Sequence, residues 1–151
     1  MSINYFERVV RQATSSLVQR GYQFQEGKYN DLKDFWKIIT TGVACRITFQ
    51  LLESPSLVQM FQISLSRQRL RDFPENEMLY APLHIPLLNL IEGFYKVNIF
   101  PPGNFAWEFT DESSLLEQLA AAQSLIIDYG IKWLEDPLSN IEWVKRHKDQ
   151  A

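Results

Sequence analysis

Two alternating patterns flank the turn signal Pro101-Pro102-Gly103, and they constrain the fold more than any other part of the sequence. The apolar members of the patterns are Tyr95, Val97 and Ile99 before the turn, and Phe105, Trp107 and Phe109 after it. Alternation on both sides of a Pro-Gly turn predicts a β-hairpin with one buried, aromatic face. Because a helical pattern follows at once, the sequence predicts an α+β fold.

Three further strands are predicted upstream of this hairpin. Residues 35–41 are β-branched and aromatic, whereas residues 43–52 and 57–67 alternate between apolar and polar side chains. The predicted inward-facing residues are Cys45, Ile47, Phe49 and Leu51, followed by Phe61, Ile63 and Leu65. Turn-forming residues at 53–56 separate the last two strands, so we expect an antiparallel meander with one solvated face. With the hairpin, the sheet has about five strands.

Helical spacing of apolar residues predicts three helices. The first covers residues 2–19 and is followed by Gly21, which suits the position just beyond a helix end. A short helix is predicted from Pro86 to residue 91. The longest covers residues 111–129, with Gly130 as its expected terminator.

The long helix has two candidate N-caps, Ser114 in a capping-box pattern and Asp111. Its predicted buried stripe comprises Leu115, Leu119, Ala122 and Ile126. Residues 136–151 form a possible helical extension of the single domain predicted for residues 1–151. Trp143 of this extension can pack on its own domain or on another chain, and the sequence favours neither.

Composition limits the classes of function. Apolar residues make up 46% and charged residues 22% of the 151 residues, which is typical of an ordered globular domain. The net charge of −3 argues against bulk nucleic-acid binding, which needs clustered positive charge. The single cysteine and the absence of a signal-peptide pattern at Met1 favour the cytoplasm. The apolar stretch around residues 78–91 is too short and too interrupted to cross a bilayer.

The sequence contains no catalytic or metal-binding signature. One cysteine and two histidines are too few for an ordinary zinc site, and neither His84 nor His147 has partners at ligand spacing. Cys45 is interpreted as a packing residue on the buried face of its strand. We therefore expect no cofactor, no metal, no catalytic residue and no enzymatic activity.

Three arginines suggest an alternative site. Arg67, Arg69 and Arg71 lie on one side of their strand if it continues, and such guanidinium groups can hold a phosphate or a carboxylate. Because their parity is that of the buried residues, they would have to emerge past the end of the sheet as an exposed rim. The competing interpretation is a solvated strand end with Asp72 and Glu75 as local partners.

The solvated face of the meander is the preferred interaction surface. Its side chains are mostly uncharged, and such a face can hydrogen-bond an extended peptide or a partner protein. The predicted partner-binding residues are Gln50, Met60, Gln62 and Ser64 on the sheet, with Trp143 on the terminal extension. A merely solvated face is the competing interpretation.

The predicted order of elements resembles that of type III secretion chaperones and related small α+β adaptor proteins. The resemblance covers residues 2–131, and it implies that the sheet and its helices hold a partner segment and that the protein forms a homodimer. Residues 47–50 and 129–134 are also similar to bacterial domains, some of them near toxin-immunity genes. We expect a chaperone-like or assembly-factor-like adaptor; the alternatives are an anionic-ligand binder or enzyme using the arginine rim, and a toxin-immunity-type inhibitor.

Overall fold

The computed structural model describes residues 5–26, 33–38, 44–52, 58–67, 83–99, 106–136, 143 and 145–146. The strands in this part of the chain are β1 Gln23–Glu26, β2 Lys33–Ile38, β3 Ala44–Leu52, β4 Gln59–Arg67, β5 His84–Pro86 and β6 Trp107–Phe109. They form one antiparallel sheet against which helices pack, so the predicted α+β fold class is confirmed.

The described helices are α1 Phe6–Ala13, α2 Ser15–Gln19, α3 Leu87–Asn89, α4 Glu112–Leu125 and α5 Ile131–Glu135. A π-helical turn, Leu90–Phe94, continues α3, and a second one, Ile126–Gly130, joins α4 to α5. We call the continuous element Glu112–Glu135 the long helix. No helix in the described ranges is both long and apolar enough to cross a membrane.

The predicted meander of three strands is confirmed as β2-β3-β4, and β1 adds a fourth strand to it. Two short strands then share the remaining edge of β4. β5 pairs with Ser64–Ser66, and β6 pairs with Gln59–Phe61. Among the described strands, β1 forms one edge of the sheet, and β5 and β6 together form the opposite edge.

The predicted hairpin is wrong. Residues 95–99 are not in a strand, and β6 pairs with β4; the predicted turn and Phe105 lie outside the described residues. The reason is aromatic packing, because Trp107 stacks on Phe61 with ring centroids 5.3 Å apart and an interplanar angle of 8°. Residues 95–99 still alternate between half-buried and exposed positions, so their pattern records burial without strand pairing.

The face of the sheet that contacts the helices, here called the inner face, forms the core. All seven residues predicted to face inward on β3 and β4 are buried, and so is the whole predicted stripe of the long helix. Asp111 precedes the long helix, and its side chain accepts a 2.7 Å hydrogen bond from the Ser114 backbone N–H. In turn, the Ser114 hydroxyl oxygen accepts a 3.0 Å hydrogen bond from the Asp111 backbone N–H. Asp111, the second candidate, is thus the N-cap.

Gly130 does not end the long helix. Its backbone is helical, with φ −70° and ψ −45°, and the helix continues to Glu135. A Cβ atom at this position would lie 3.3 Å from Leu65 Cδ1 and 3.4 Å from Leu87 Cδ1. The glycine therefore lets the helix backbone lie close to β4 and α3, and a tertiary contact explains a residue that local rules assign to a helix end.

The first predicted helix is divided at Thr14, whose buried hydroxyl donates to the Val10 carbonyl at 2.6 Å. The prediction for Gly21 is confirmed, since its φ is +98° and it follows the last helical turn. Its N–H bonds to the Val18 carbonyl, and the Tyr22 N–H bonds to the Leu17 carbonyl. These two bonds form a Schellman motif, which directs the chain into β1.

Candidate functional site

The opposite face of the sheet, here called the outer face, contains four of the predicted partner-binding residues. Gln50 and Gln62 are direct cross-strand partners on β3 and β4. Ser64 lies opposite Thr48, and Met60 lies between β3 and β6. All four are half-buried, so each presents part of its side chain to solvent. The structure confirms that they share one surface, while their role in binding stays a prediction.

A polar network on β2 and β3 extends this face. The Arg46 guanidinium lies over the Trp36 ring, 3.7 Å from its centroid, and Arg46 Nε lies 3.9 Å from Asp34 Oδ2. The Thr48 hydroxyl donates a 2.6 Å hydrogen bond to Asp34 Oδ1. These contacts fix the indole on the outer face and pair the two charges beside it. Sequence reasoning missed the network because it needs the register that places Trp36 opposite Arg46.

A cavity of about 380 Å³ opens on the outer face beside this network. Its described lining residues come from the turn before β1 and from three strands, and they are Gly21, Gln23, Gln25, Trp36 and Ala44. The volume is within the range of about 300–1,000 Å³ found for ligand pockets. The lining residues that the structure describes are uncharged, which favours a neutral group over an ion.

Trp143 lies apart from these strand residues. Its ring stacks on that of Phe94, with centroids 5.2 Å apart and an interplanar angle of 11°. Arg146 donates a 2.9 Å hydrogen bond from Nη1 to the Phe94 carbonyl, and its guanidinium lies 4.5 Å from the centre of the same ring. The described part of the terminal extension therefore packs on its own domain, which resolves one alternative that the sequence left open.

Arg67 is on the inner face and only 6% exposed, so the exposed rim position predicted for it is wrong. Arg69 and Arg71 lie outside the described residues. Arg67 Nη1 donates to the carbonyl oxygens of Trp133 at 2.5 Å and Asp136 at 3.2 Å, and its guanidinium lies 4.5 Å from the Trp133 ring centroid. Arg67 therefore binds the end of the long helix.

Two strand neighbours of Arg67 bind the same helix end. Lys37, Cys45 and Arg67 are consecutive cross-strand partners on β2, β3 and β4. Lys37 Nζ lies 2.5 Å from Glu135 Oε1, and the Cys45 thiol donates to the Leu134 carbonyl at 3.3 Å. We call these three residues the helix-end clamp. Because the last carbonyls of a helix lack helical partners and carry partial negative charge, two cations and a thiol suit this position.

His84 and Cys45 are the described side chains of two types often used in catalysis or metal binding. His84 is exposed and shares a 2.7 Å hydrogen bond with Ser66. In the described ranges, no group of three or more His, Cys, Asp or Glu residues is arranged to hold a metal ion. Burial, and then the charge of Glu135, raises the pKa of the Cys45 thiol from 9.0 to about 11. A buried thiol with a raised pKa is a poor nucleophile.

We expect the Cys45 thiol to react with DTNB only when the protein unfolds. The raised pKa also predicts alkaline destabilisation. The protonated Cys45 thiol makes its full contribution to the free energy of unfolding below pH 9. This contribution is lost as the pH rises through about 11, because the thiol releases its proton at a lower pH in the unfolded chain than in the folded protein. Urea unfolding at several pH values checks this, and Cys45→Ala should lose less stability than the wild type over that interval. Reaction of the native thiol at the rate of a free cysteine would contradict the assignment.

Comparison of the chain with protein-family models, with curated proteins and with solved structures finds no match.

Proposed function

We propose that this protein is a non-enzymatic binding module that holds a partner protein on the outer face of its sheet, as a chaperone-like or assembly-factor-like adaptor. One observation carries the proposal. The described helices bury most of their apolar residues in the core on the inner face, while the outer-facing side chains of β3 and β4 are half-buried. Within the described ranges no helix packs on the outer face, which leaves that face available for a partner.

The chemistry of the outer face supports a protein partner. Gln50 and Gln62 can both donate and accept hydrogen bonds, and Met60 adapts its shape to apolar groups. The charged groups beside them, Asp34 and Arg46, are paired with each other. Such a face suits backbone amides and mixed side chains more than a single charged metabolite.

The size of the face favours a segment of a partner. β3 and β4 have nine residues each, so the face is about 30 Å long at roughly 3.3 Å per residue. Four strands at about 4.8 Å spacing give a width of roughly 14 Å between the outermost strand axes. Because β1 and β2 are shorter, the area is less than half of the roughly 800 Å² that a typical stable interface buries on each partner.

We extend the proposal to a cytoplasmic protein that forms a homodimer. The free, buried thiol of Cys45 suits a reducing compartment. The homodimer follows from the resemblance to secretion chaperones and is measured directly by sedimentation equilibrium.

The double variant Met60→Arg/Gln62→Arg is expected to lose the partner without unfolding. Both side chains are half-buried on the outer face, so arginine can reach solvent there while its charge and bulk oppose docking. The measurement is quantitative mass spectrometry, with isotope-labelled peptides, of the proteins that the tagged wild type and the tagged variant retain from host lysate. The identity of the retained protein separates an adaptor from a toxin-immunity-type inhibitor.

The matched control adds the same two charges to the helical layer. Ala121→Arg/Ser124→Arg alters exposed positions of α4 and should retain the partner. Thermal unfolding of all three proteins should give midpoints within a few degrees of one another, since surface substitutions usually change stability by less than about 0.5 kcal/mol. Equal retention by the outer-face variant and the wild type would contradict the proposal.

A further inference from the structure

Strand β1 is the first strand of the described sheet and forms one of its edges. Among the described strands it pairs with β2 alone, through Gln23–Glu26. The backbone N–H and C=O groups on its other side therefore have no strand partner in the described structure. Proteins usually block such an edge with lysine, proline or a bulge. β1 contains neither lysine nor proline, and its outer-facing residues Gln23 and Gln25 are uncharged and exposed.

The edge is held firmly in place. The positive φ of Gly21 and its Schellman hydrogen bonds set the direction in which β1 begins. On the inner face, the Phe24 ring packs edge-on against Phe35, with centroids 4.6 Å apart. Arg11 of α1 lies over the same Phe24 ring, 4.2 Å from its centroid. An edge that is already ordered costs less conformational entropy when a partner binds to it.

The cavity of the outer face adjoins this edge. Gln23 and Gln25 of β1 line it together with Trp36 of β2. Arg46 covers one face of the Trp36 indole, so a ligand can stack only on the other face. The two glutamine amides supply donors and acceptors at the rim. The cavity thus suits an uncharged, planar side chain attached to a backbone that runs along β1.

We propose that an extended segment of the partner adds to β1 as a further strand and places an aromatic side chain in this cavity, against Trp36. Backbone hydrogen bonds along the edge provide affinity, and the cavity selects the side chain. This inference rests on the proposed function and names the chemistry of the segment that is recognised.

A second copy of the chain is a less suitable occupant. The four residues of β1 span about 13 Å, at roughly 3.3 Å per residue. Pairing two such strands buries far less than the roughly 1,200 Å² at the lower end of stable protein interfaces. A flexible segment needs only modest affinity, and it can continue from the edge across the outer face.

The test uses the full-length protein and a phage-displayed library of short random linear peptides. We expect enriched peptides to share a Trp, Tyr or Phe among uncharged residues. Ala44→Leu narrows the cavity and should weaken binding of the best peptide about tenfold or more, whereas Ala44→Ser, the matched control, should not. Gln23→Lys/Gln25→Lys, at exposed positions, should also weaken binding and serves if Ala44→Leu does not fold.

Amide hydrogen exchange tests the added strand directly. Exchange of the amides in Gln23–Glu26 should slow when the peptide binds. Three results would overturn the inference. The first is that the library enriches no peptide, and the second is that the best peptide binds Ala44→Leu and Gln23→Lys/Gln25→Lys as well as it binds the wild type. The third is protection of the β1 amides that rises with protein concentration when no peptide is present. If Met60→Arg/Gln62→Arg loses the lysate partner while both of these variants retain it, the proposed function stands and only the inference fails. If all three variants retain the partner, both fail.

Discussion

Replacement of Arg67 with methionine is expected to lower the free energy of unfolding by about 3 kcal/mol, because a buried charge-assisted hydrogen bond is worth roughly 1.5–3 kcal/mol and its carbonyl acceptors would stay desolvated. Arg67 donates to the carbonyls of Trp133 and Asp136 and lies over the Trp133 ring. Burial lowers the pKa of the guanidinium to about 10, so it is still protonated at neutral pH. Methionine keeps most of the volume and removes the donors and the charge.

The control for this variant is Arg46→Met. Arg46 is one residue from Cys45 of the helix-end clamp on β3, but it lies on the outer face with 39% of its side chain exposed. We expect it to lose about 1 kcal/mol or less, as is usual for exposed ion pairs. Urea unfolding gives both values, and hydrogen exchange at residues 131–136 should accelerate in Arg67→Met alone. Equal stability of the two variants would show that the clamp does not hold the helix.

The helix-end clamp shows what a local pattern can and cannot predict. The alternation of β4 correctly assigned Arg67 the parity of buried residues. It could not reveal that the end of the long helix, far away in sequence, lies above that position and provides carbonyl acceptors. Local rules alone therefore place an arginine of this parity beyond the end of the sheet. Alternation within β3 and β4 predicts that Cys45 and Arg67 share the parity of buried residues. The helix end that both of them bind together with Lys37 becomes visible only in three dimensions.

The same distinction applies to the candidate site. The four strand residues of the outer face follow from strict alternation, which is set by strand geometry alone. Trp36 and its cavity depend on the register of β1, β2 and β3, and on the positive φ that Gly21 adopts. Such features arise from pairing between segments, so the periodicity of a single segment does not contain them. Gly130 is a related case. Its local pattern predicts a helix end, whereas in the structure it lies within the long helix, where Leu65 of β4 leaves little room for a side chain.

Replacement of Trp107 with alanine is expected to lower the free energy of unfolding by about 3–5 kcal/mol, the usual cost of truncating a buried aromatic residue. Trp107 is 2% exposed, and its ring stacks on Phe61 of β4. Glu108→Ala, at the neighbouring exposed position, should have little effect. Guanidinium chloride unfolding of the two variants measures the difference.

A double-mutant cycle makes this prediction specific to the pairing of β6 with β4. Trp107→Leu and Phe61→Leu should be coupled by roughly 1 kcal/mol, because stacked aromatic pairs contribute about 0.5–1.5 kcal/mol beyond the area they bury. A hairpin between residues 95–100 and 104–109 does not require that coupling, since it pairs Trp107 with a different strand. Additive effects of the two substitutions would therefore argue against β6 lying on the edge of β4. Strong coupling would show that Trp107 packs on Phe61, as it does when β6 pairs with β4. This pairing is the main difference between the fold and the hairpin that local alternation predicts.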